Sequence, residues 1–407
     1  RVRVPPDRCS RMGTSSTRFA TDRALDNEDS VSGAIIGLAV GDATGLRVEG
    51  NIPSQCRAFA KDLAPCLKRG ISEDFMRKWD GRWPLGQYSD DTQLSRELLL
   101  AAAEGPNNAL AQGELSSLYA QRIAALYKQS KFVGCGMATA KALTRIIKGV
   151  ALEKVGSAEG LAGNSPSVRG IMMGLLHPSL FEKKESSSAE QKSTDDTCLL
   201  SACASQSRVT HRDPYSILCS LVMCIAVRQI LSLKPGDLDS LESKRAFLDS
   251  VSKRLALFCE VEQGREAKGL EAKGRLDTIR DCLHSIGAAL DKSFHKALET
   301  VRLMGYDGKM YKVQDKEGVS GFAVPSTMWA LYTFLRSPGD FTEVLLATIR
   351  GGGDTDSTAA LACGLVGCHV GYRNIPERLA NLLQDQGEDN WNAVELAKLG
   401  KRIAQLR

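Results

Sequence analysis

The chain has 407 residues and the composition of a globular protein, which is ample for a large buried core. Apolar residues make up 43% and aromatic residues only 6%, a balance that favours helices rich in alanine and leucine over a β-sandwich. The net charge of +5 is spread along the chain without interleaved aromatic residues, so a nucleic-acid partner is not expected.

The 12 cysteines include no Cys-x-x-Cys pair of the kind found in zinc or redox sites. We interpret them as reduced, apolar core residues of an intracellular protein, either cytoplasmic or organellar. No uninterrupted apolar run reaches the roughly 20 residues that a bilayer span requires, so no membrane partner is expected.

Residues 1–30 are interpreted as a disordered leader that precedes the fold. Its residues 1–21 are rich in arginine and serine and carry a single acid, Asp7, which fits an organelle transit peptide, but a truncated or mistranslated leader would look the same. Nothing marks a clean boundary in residues 31–407, which are therefore predicted to form one helical domain, expected to be a monomer.

The first strongly patterned segment, residues 32–45, carries a glycine at every fourth position. On a helix these glycines fall along one side, where another helix can approach closely, and this packing offsets the ~1 kcal/mol that each glycine costs a helix. We predict a buried, tightly packed helix, and Asp42 within it argues against a membrane span.

Other segments repeat their apolar residues at helical spacing, and none alternates convincingly as a strand. Residues 181–194, with three consecutive serines and few apolar side chains, are interpreted as a loop insertion. The fold class is therefore all-α, and helices are predicted over residues 94–103, 115–128, 138–148, 214–233, 244–258, 278–301, 327–335, 342–350, 357–372 and 391–406.

Two acidic clusters, residues 87–92 and 351–357, each directly precede an apolar helix. Taken singly, aspartate and serine at a helix start are ordinary caps for free backbone N–H groups. Each cluster, however, crowds two carboxylates and a hydroxyl into four residues, and that repulsion is costly unless a cation compensates it. The Gly351–Gly353 run also permits positive backbone dihedrals and close approach of a ligand.

If the two helix starts meet, their carboxylates and hydroxyls form an oxygen cage without histidine or cysteine. Hard oxygen ligands suit Mg²⁺ or Mn²⁺ rather than zinc. So many carboxylates predict more than one ion.

Three blocks of the sequence, residues 41–49, 89–92 and 352–357, resemble the signature blocks of the ADP-ribosylglycohydrolases, relatives of the dinitrogenase reductase-activating glycohydrolase. The blocks occur in family order, and the resemblance runs from about Ser32 to Leu383. It implies a compact all-α fold whose cleft holds a dinuclear centre of two Mg²⁺ ions, or Mn²⁺. The implied activity is hydrolysis of the anomeric C–N or C–O bond of ADP-ribose. The implied substrate is an ADP-ribosylated protein or a small ADP-ribosyl compound, and the implied product is free ADP-ribose.

Carried over residue by residue, the resemblance implies three groups of site residues. Glu49 matches an acidic residue on a mobile flap, and either it or Asp91 is assigned the proton relay. Substrate contacts are implied for Gly163, Asn164, His211, Gly352 and Gly353, with the diphosphate held by backbone N–H groups. The implied metal ligands are Ser89, Asp90, Asp91, Asp354, Asp356 and Ser357.

The sequence departs from the family pattern at Ser165 and Pro166, where a second glycine usually follows Asn164, and this puts the diphosphate loop in doubt. For His211, a structural role at a helix entrance stays open. The similar segment 194–197 copies the first cluster but lacks a partner block, so helix capping is expected there.

Two other functions are alternatives to this hydrolase. An all-α prenyl-diphosphate synthase also binds Mg²⁺ through aspartates on helices, but such enzymes have a third carboxylate four residues after the first, where this chain has Leu94. A catalytically impaired, ADP-ribose-binding or structural member of the same fold is the stronger alternative, because the Asn164 loop is altered.

Overall fold

The computed structural model describes residues 27–105, 114–181, 195–263, 273–313, 317–386 and 391–406. Within these ranges the chain forms eighteen α-helices and no β-strand, which confirms the all-α prediction. The helices of the first half are α1 (Asn27–Gly45), α2 (Pro53–Arg69), α3 (Glu73–Lys78), α4 (Asp90–Glu104), α5 (Leu115–Lys128), α6 (Met137–Ile147), α7 (Leu152–Val155), α8 (Ser165–Leu175) and α9 (Asp195–Arg208).

The helices of the second half surround α1 and complete one continuous core. They are α10 (Pro214–Ile230), α11 (Leu241–Gln263), α12 (Lys273–Ala289), α13 (Phe294–Val301), α14 (Ala323–Arg336), α15 (Phe341–Ile349), α16 (Thr355–Val370), α17 (Glu377–Ala380) and α18 (Ala393–Gln405).

The glycine stripe of α1 lies directly against α16, its main packing partner. A Cβ at each of the four glycines would overlap a backbone carbonyl oxygen of α16, and the pairs run in opposite directions along the two helices. The two backbones are therefore antiparallel and in contact, as the four-residue spacing predicted. The contacts pair Gly33 with Gly367, Gly37 with Cys363, Gly41 with Ala359 and Gly45 with Thr355.

This packing brings the C-terminal end of α1 to the N-terminal end of α16. The Thr355 hydroxyl donates to the Gly45 carbonyl at 2.8 Å, which fixes the register between the two ends. Helices α8, α10, α14 and α15 pack against α16, and α8 and α18 pack against α1, so that both helices are buried. The acidic block at the start of α16 is thereby held beside the block at the end of α1.

Several predicted helices match the structure to within a few residues, but residues 278–301 do not form the single helix that was predicted. They belong to α12 and α13, and the break lies between Ala289 and Phe294. Ser293 caps α13 by accepting the Lys296 N–H, so a local side-chain acceptor restarts the helix. Helices α2, α8 and α9 are additional to the sequence prediction; α2 carries Pro65 in its interior.

By length and composition alone, residues Asn27–Val48 would suffice to cross a membrane. Their most apolar window is 89% buried inside the protein, which is typical of a core helix. The eleven cysteines of the described residues are all free thiols, and nine of them are buried, in keeping with the interpretation as core residues. Most of the predicted leader and residues 182–194 of the insertion lie outside the described residues.

Replacing Gly41 by alanine is expected to lower the free energy of unfolding by about 1–3 kcal/mol, because the new Cβ overlaps the Ala359 carbonyl. Urea denaturation followed by circular dichroism measures the change. Gly274 is the matched control, since it also lies in a helix but has open space around the position of a Cβ. Its replacement by alanine is expected to leave stability unchanged or slightly higher; equal losses in both variants would contradict the packing argument.

Candidate metal centre

Asp42 in α1 fixes the first acidic block. Its carboxylate is fully buried and accepts the Ser89 N–H at 2.9 Å, and the N–H and hydroxyl of Thr92 at 3.0 and 2.6 Å. Burial raises the pKa of Asp42 to about 6, which leaves it ionised at neutral pH. A carboxylate from another helix thus accepts N–H groups at the start of α4 that have no partner within that helix.

The remaining donors at the start of α4 are also satisfied by other groups. The Ser89 hydroxyl accepts the Asp91 N–H at 3.2 Å, and the Asp90 N–H donates to the Val133 carbonyl at 2.7 Å. Gln93 holds that loop, because its side-chain carbonyl accepts the Val133 N–H at 3.0 Å. Asp90 and Asp91 therefore do not cap α4 through their side chains, and the capping interpretation fails for both of them.

The second acidic block starts α16. Asp354 stands at the N-cap without a capping hydrogen bond, and its carboxylate instead accepts the Asn164 amide at 2.5 Å. Asp356 is buried, and its Oδ1 atom has no hydrogen-bond partner within the part of the chain that the structure describes. Leaving a buried carboxylate oxygen unpaired is costly, so this atom marks the position of an absent partner.

Glu49 completes this side of the site. One carboxylate oxygen from each of Glu49, Asp354 and Asp356 lies within 4.8 Å of the others. Glu49 is exposed and belongs to a turn, residues 49–51, that we call the Glu49 turn. Two backbone hydrogen bonds join this turn to the loop before α16: Gly50 N–H to the Gly353 carbonyl at 2.7 Å, and Gly353 N–H to the Asn51 carbonyl at 2.9 Å.

The two acidic blocks meet at Ser357. Its hydroxyl lies beside the carboxylates of Asp91 and Asp354 and acts to lower the pKa of each. Even so, burial, with repulsion from neighbouring carboxylates, raises the pKa values of Asp90, Asp91 and Asp356 well above their ordinary value. The pKa of Asp354 is raised by burial.

A cation is the group that these residues fit. The donors are carboxylate and hydroxyl oxygens, one of them is buried without a partner, and the raised pKa values record uncompensated negative charge. Oxygen-only donors of this kind suit hard divalent cations such as Mg²⁺, Mn²⁺ and Ca²⁺. The structure thus brings the predicted metal ligands together, while their roles stay predictions.

The predicted substrate residues divide into two groups. Asn164 directs its amide at Asp354 and at Ser326, so it orients a candidate metal ligand. The N–H groups of Gly163, Gly352 and Gly353 donate to backbone carbonyls, and the two latter glycines adopt φ values of +65° and +81°. Substrate binding by these three stays a prediction: their N–H groups are engaged, and protein atoms lie within 2.7 Å of where a Cβ would stand at each.

His211 is buried beside Gly163 and lies in the loop that leads into α10. Its Nδ1 atom hydrogen-bonds to the Thr210 hydroxyl at 3.0 Å. Burial, with a smaller contribution from the positive charge of Arg169, lowers the pKa of His211 to about 3, so the ring is neutral at physiological pH. Asp195 begins α9, as expected for the similar segment 194–197, but the side chains of Asp195 and Asp196 lie outside the described residues.

Sequence reasoning missed the positioning role of Asp42. The available signal was a single acid inside an otherwise apolar, glycine-rich helix, which was used only as an argument against a membrane span. A buried charge in such a helix needs hydrogen-bond donors, and the nearest free donors are the N–H groups at a helix start.

A family model for the ADP-ribosylglycohydrolases matches residues 23–407. The chain belongs to the ADP-ribosylglycohydrolase family. An uncharacterized protein of Archaeoglobus fulgidus is 24% identical over 387 residues, which cover 93% of this chain and 99% of the relative. Among solved structures, an ADP-ribosylglycohydrolase-related protein complex is 22% identical with a TM-score of 0.57, covering 93% of this chain and 98% of that one. That structural likeness supports the ADP-ribosylglycohydrolase fold.

Asp42→Asn is expected to lower the stability of this ADP-ribosylglycohydrolase family member by about 1–3 kcal/mol, because an amide N–H₂ would face the donors of α4. It is also expected to weaken Mg²⁺ binding about 10–100-fold, the effect typical of groups that orient metal ligands. Thermal denaturation during a Mg²⁺ titration measures both. Asp340→Asn is the control, since Asp340 caps α15 through the Glu343 N–H at the surface. Equal responses of both variants to Mg²⁺ would refute the role of Asp42.

The stabilisation that Mg²⁺ gives is expected to increase with pH. Because their pKa values are raised in the folded state, the carboxyl groups stabilise the metal-free protein fully below the ordinary aspartate pKa of 3.8, and this stabilisation is lost as the pH rises through the folded-state values. Mg²⁺ must displace the protons of these groups in order to bind, and above pH 3.8 fewer protons remain at each higher pH. Melting temperatures measured with and without Mg²⁺ across this range test the expectation. A Mg²⁺ effect that is independent of pH would contradict it.

Proposed function

We propose that this protein is a Mg²⁺-dependent hydrolase that cleaves the anomeric C–N or C–O bond between ADP-ribose and an acceptor. The observation that carries the proposal is the unpaired Oδ1 of Asp356, buried within a carboxylate cluster at the start of α16. Membership of the ADP-ribosylglycohydrolase family supports a hydrolase with this fold. The acceptor is either a protein side chain or a small molecule.

The residues that would hold two Mg²⁺ ions are those at the starts of α4 and α16. Bound Mg²⁺ supplies Lewis-acid polarisation of the oxygens that it contacts. The protein would supply rigidity, because Asp42 and Ser89 fix the start of α4 and Asn164 fixes Asp354. The proposed ligands are Ser89, Asp90, Asp91, Asp354, Asp356 and Ser357.

Glu49 is the better candidate of the two residues considered for the proton relay. Asp91 is buried beside Ser357, whereas Glu49 lies at the exposed edge of the cluster. Partial desolvation beside the cluster, together with repulsion by Asp354 and Asp42, raises the pKa of Glu49, which suits a group that accepts a proton from water and passes it to a leaving group. Water attacks the anomeric carbon, the bond to the acceptor breaks, and the proton lost by water ends on the acceptor.

An aromatic cluster adjoins the carboxylates and is the proposed contact for the nucleoside end of ADP-ribose. Gly321 lies beside the Asp354 carboxylate, and the next residue, Phe322, is half-buried with its ring 4.7 Å from that of Tyr306. Phe322 also stacks on Tyr311 at 5.2 Å. Aromatic rings of this kind bind a planar base by stacking, so an ADP-ribosyl substrate could lie from the carboxylates towards Phe322.

Asp356→Asn is expected to reduce the release of ADP-ribose by at least about 100-fold, because it removes one charge from the proposed cation site. Purified protein with Mg²⁺ is incubated separately with arginine-, serine- and O-acetyl-linked ADP-ribose, and free ADP-ribose is measured by chromatography. Glu343→Gln, a change at the surface, is the control and should keep full activity.

The same assay decides between an enzyme and an impaired, ADP-ribose-binding member of the family. If the wild-type protein releases no ADP-ribose from any of the three linkages, the hydrolase proposal fails. Binding of ADP-ribose without turnover would then favour the binding protein.

Glu49→Gln is expected to lower kcat about 10²–10⁴-fold, the usual cost of removing a general acid or base, while Mg²⁺ still raises the melting temperature. Steady-state kinetics and thermal denaturation separate the two effects. If Glu49→Gln abolishes the Mg²⁺ effect and leaves kcat intact, Glu49 is a metal ligand instead of the proton relay.

A further inference from the structure

Arg169 in α8 is a fully buried arginine without an anionic partner. Its guanidinium donates to Gln206 Oε1 at 2.8 Å, to Ser165 Oγ at 2.8 Å and to Thr210 Oγ1 at 2.7 Å. All three acceptors are neutral, and no ion pair reaches Arg169 from any described residue. Because a buried cation is expensive without a counter-charge, this arrangement calls for a functional explanation.

A guanidinium can only donate, so each hydroxyl that it contacts must act as an acceptor there. The Thr210 hydroxyl then keeps one hydrogen, and its only other polar neighbour among the described residues is His211 Nδ1 at 3.0 Å. If Nδ1 carried a proton, the threonine hydrogen would be buried without an acceptor, which costs free energy. The contacts therefore favour a chain in which Arg169 donates to Thr210 and Thr210 donates to Nδ1.

In a neutral imidazole that accepts at Nδ1, the hydrogen is on Nε2. Nε2 lies against Gly163, where a Cβ would be 2.6 Å away, and it has no hydrogen-bond partner within the described ranges. The lowered pKa of His211, about 3, keeps the ring neutral over the physiological range. An N–H donor thus faces the space over Gly163.

We propose that Arg169 and Thr210 are positioning residues that lock His211, for which the family resemblance already implies a substrate contact, as the Nε2–H tautomer, so that its donor beside Gly163 is available to a phosphate oxygen of the substrate. The choice of a phosphate oxygen rests on the proposed function. The same guanidinium leaves the Ser165 hydroxyl hydrogen free to donate to that ligand. Ser165, which departs from the family pattern, then supplies a side-chain donor where the N–H of Gly163 is already engaged.

Nitrogen NMR of the full-length protein labelled in its histidines tests the tautomer without any assay of activity. His211→Asn assigns the ring signals. The expected result is a protonated Nε2 and an unprotonated Nδ1 in the wild type. A protonated Nδ1 in the wild type overturns the proposal before any variant is considered.

Thr210→Val removes the hydroxyl at nearly constant volume and is expected to move the proton partly or wholly from Nε2 to Nδ1. Thr210→Ser keeps a hydroxyl and is expected to restore the wild-type pattern. Thr348→Val is the matched control, because Thr348 is equally buried and hydrogen-bonded but lies in α15. An unchanged tautomer in Thr210→Val overturns the relay.

Isothermal titration with ADP-ribose and Mg²⁺ tests the ligand. Thr210→Val is expected to raise Kd about tenfold, the cost of one hydrogen bond, whereas Thr210→Ser and Thr348→Val stay close to the wild type. Wild-type affinity in Thr210→Val overturns the donor role of His211. A wild type with Nε2 protonated but without affinity for ADP-ribose overturns the proposed function and the choice of ligand, and leaves the tautomer assignment standing.

Discussion

The contact between the backbones of α1 and α16 is the constraint on which the rest of the structure depends. Glycine at every fourth position lets the two helices touch, and their antiparallel direction brings the end of one to the start of the other. Asp42 and Glu49 therefore lie on the same side of the molecule as Asp354 and Asp356. A side chain on the stripe would separate the helices, and the acidic groups with them.

The electrostatics of the site follow from how helix starts are capped. Asp42 and Ser89 satisfy N–H groups at the start of α4, so Asp90 and Asp91 are left with negative charge and no backbone donor. Helix N-termini lower the cost of gathering such charge, but the raised pKa values show that they do not remove it. The arrangement stores repulsion that a divalent cation relieves.

Much of this could be predicted from the sequence, because period and composition are local signals. The glycine spacing predicted the tight packing of α1, and the surplus of carboxylates predicted a cation site at residues 89–91 and 354–357 on the condition that the two helix starts meet. The role of Asp42, the amide of Asn164 on Asp354 and the break before Ser293 could not be predicted, since each depends on a partner distant in sequence or on a local cap. Long-range hydrogen bonds leave no periodic trace.

The paired hydrogen bonds between the Glu49 turn and Gly353 have a consequence for the motion of Glu49. A displacement of Gly50 and Asn51 away from Gly353 breaks both bonds, and Gly353 directly precedes Asp354. If Asp354 binds a cation as proposed, moving the Glu49 turn and loosening that ligand are one thermodynamic event. By reciprocity, whatever tightens the hold on the ion would also hold the Glu49 turn in place.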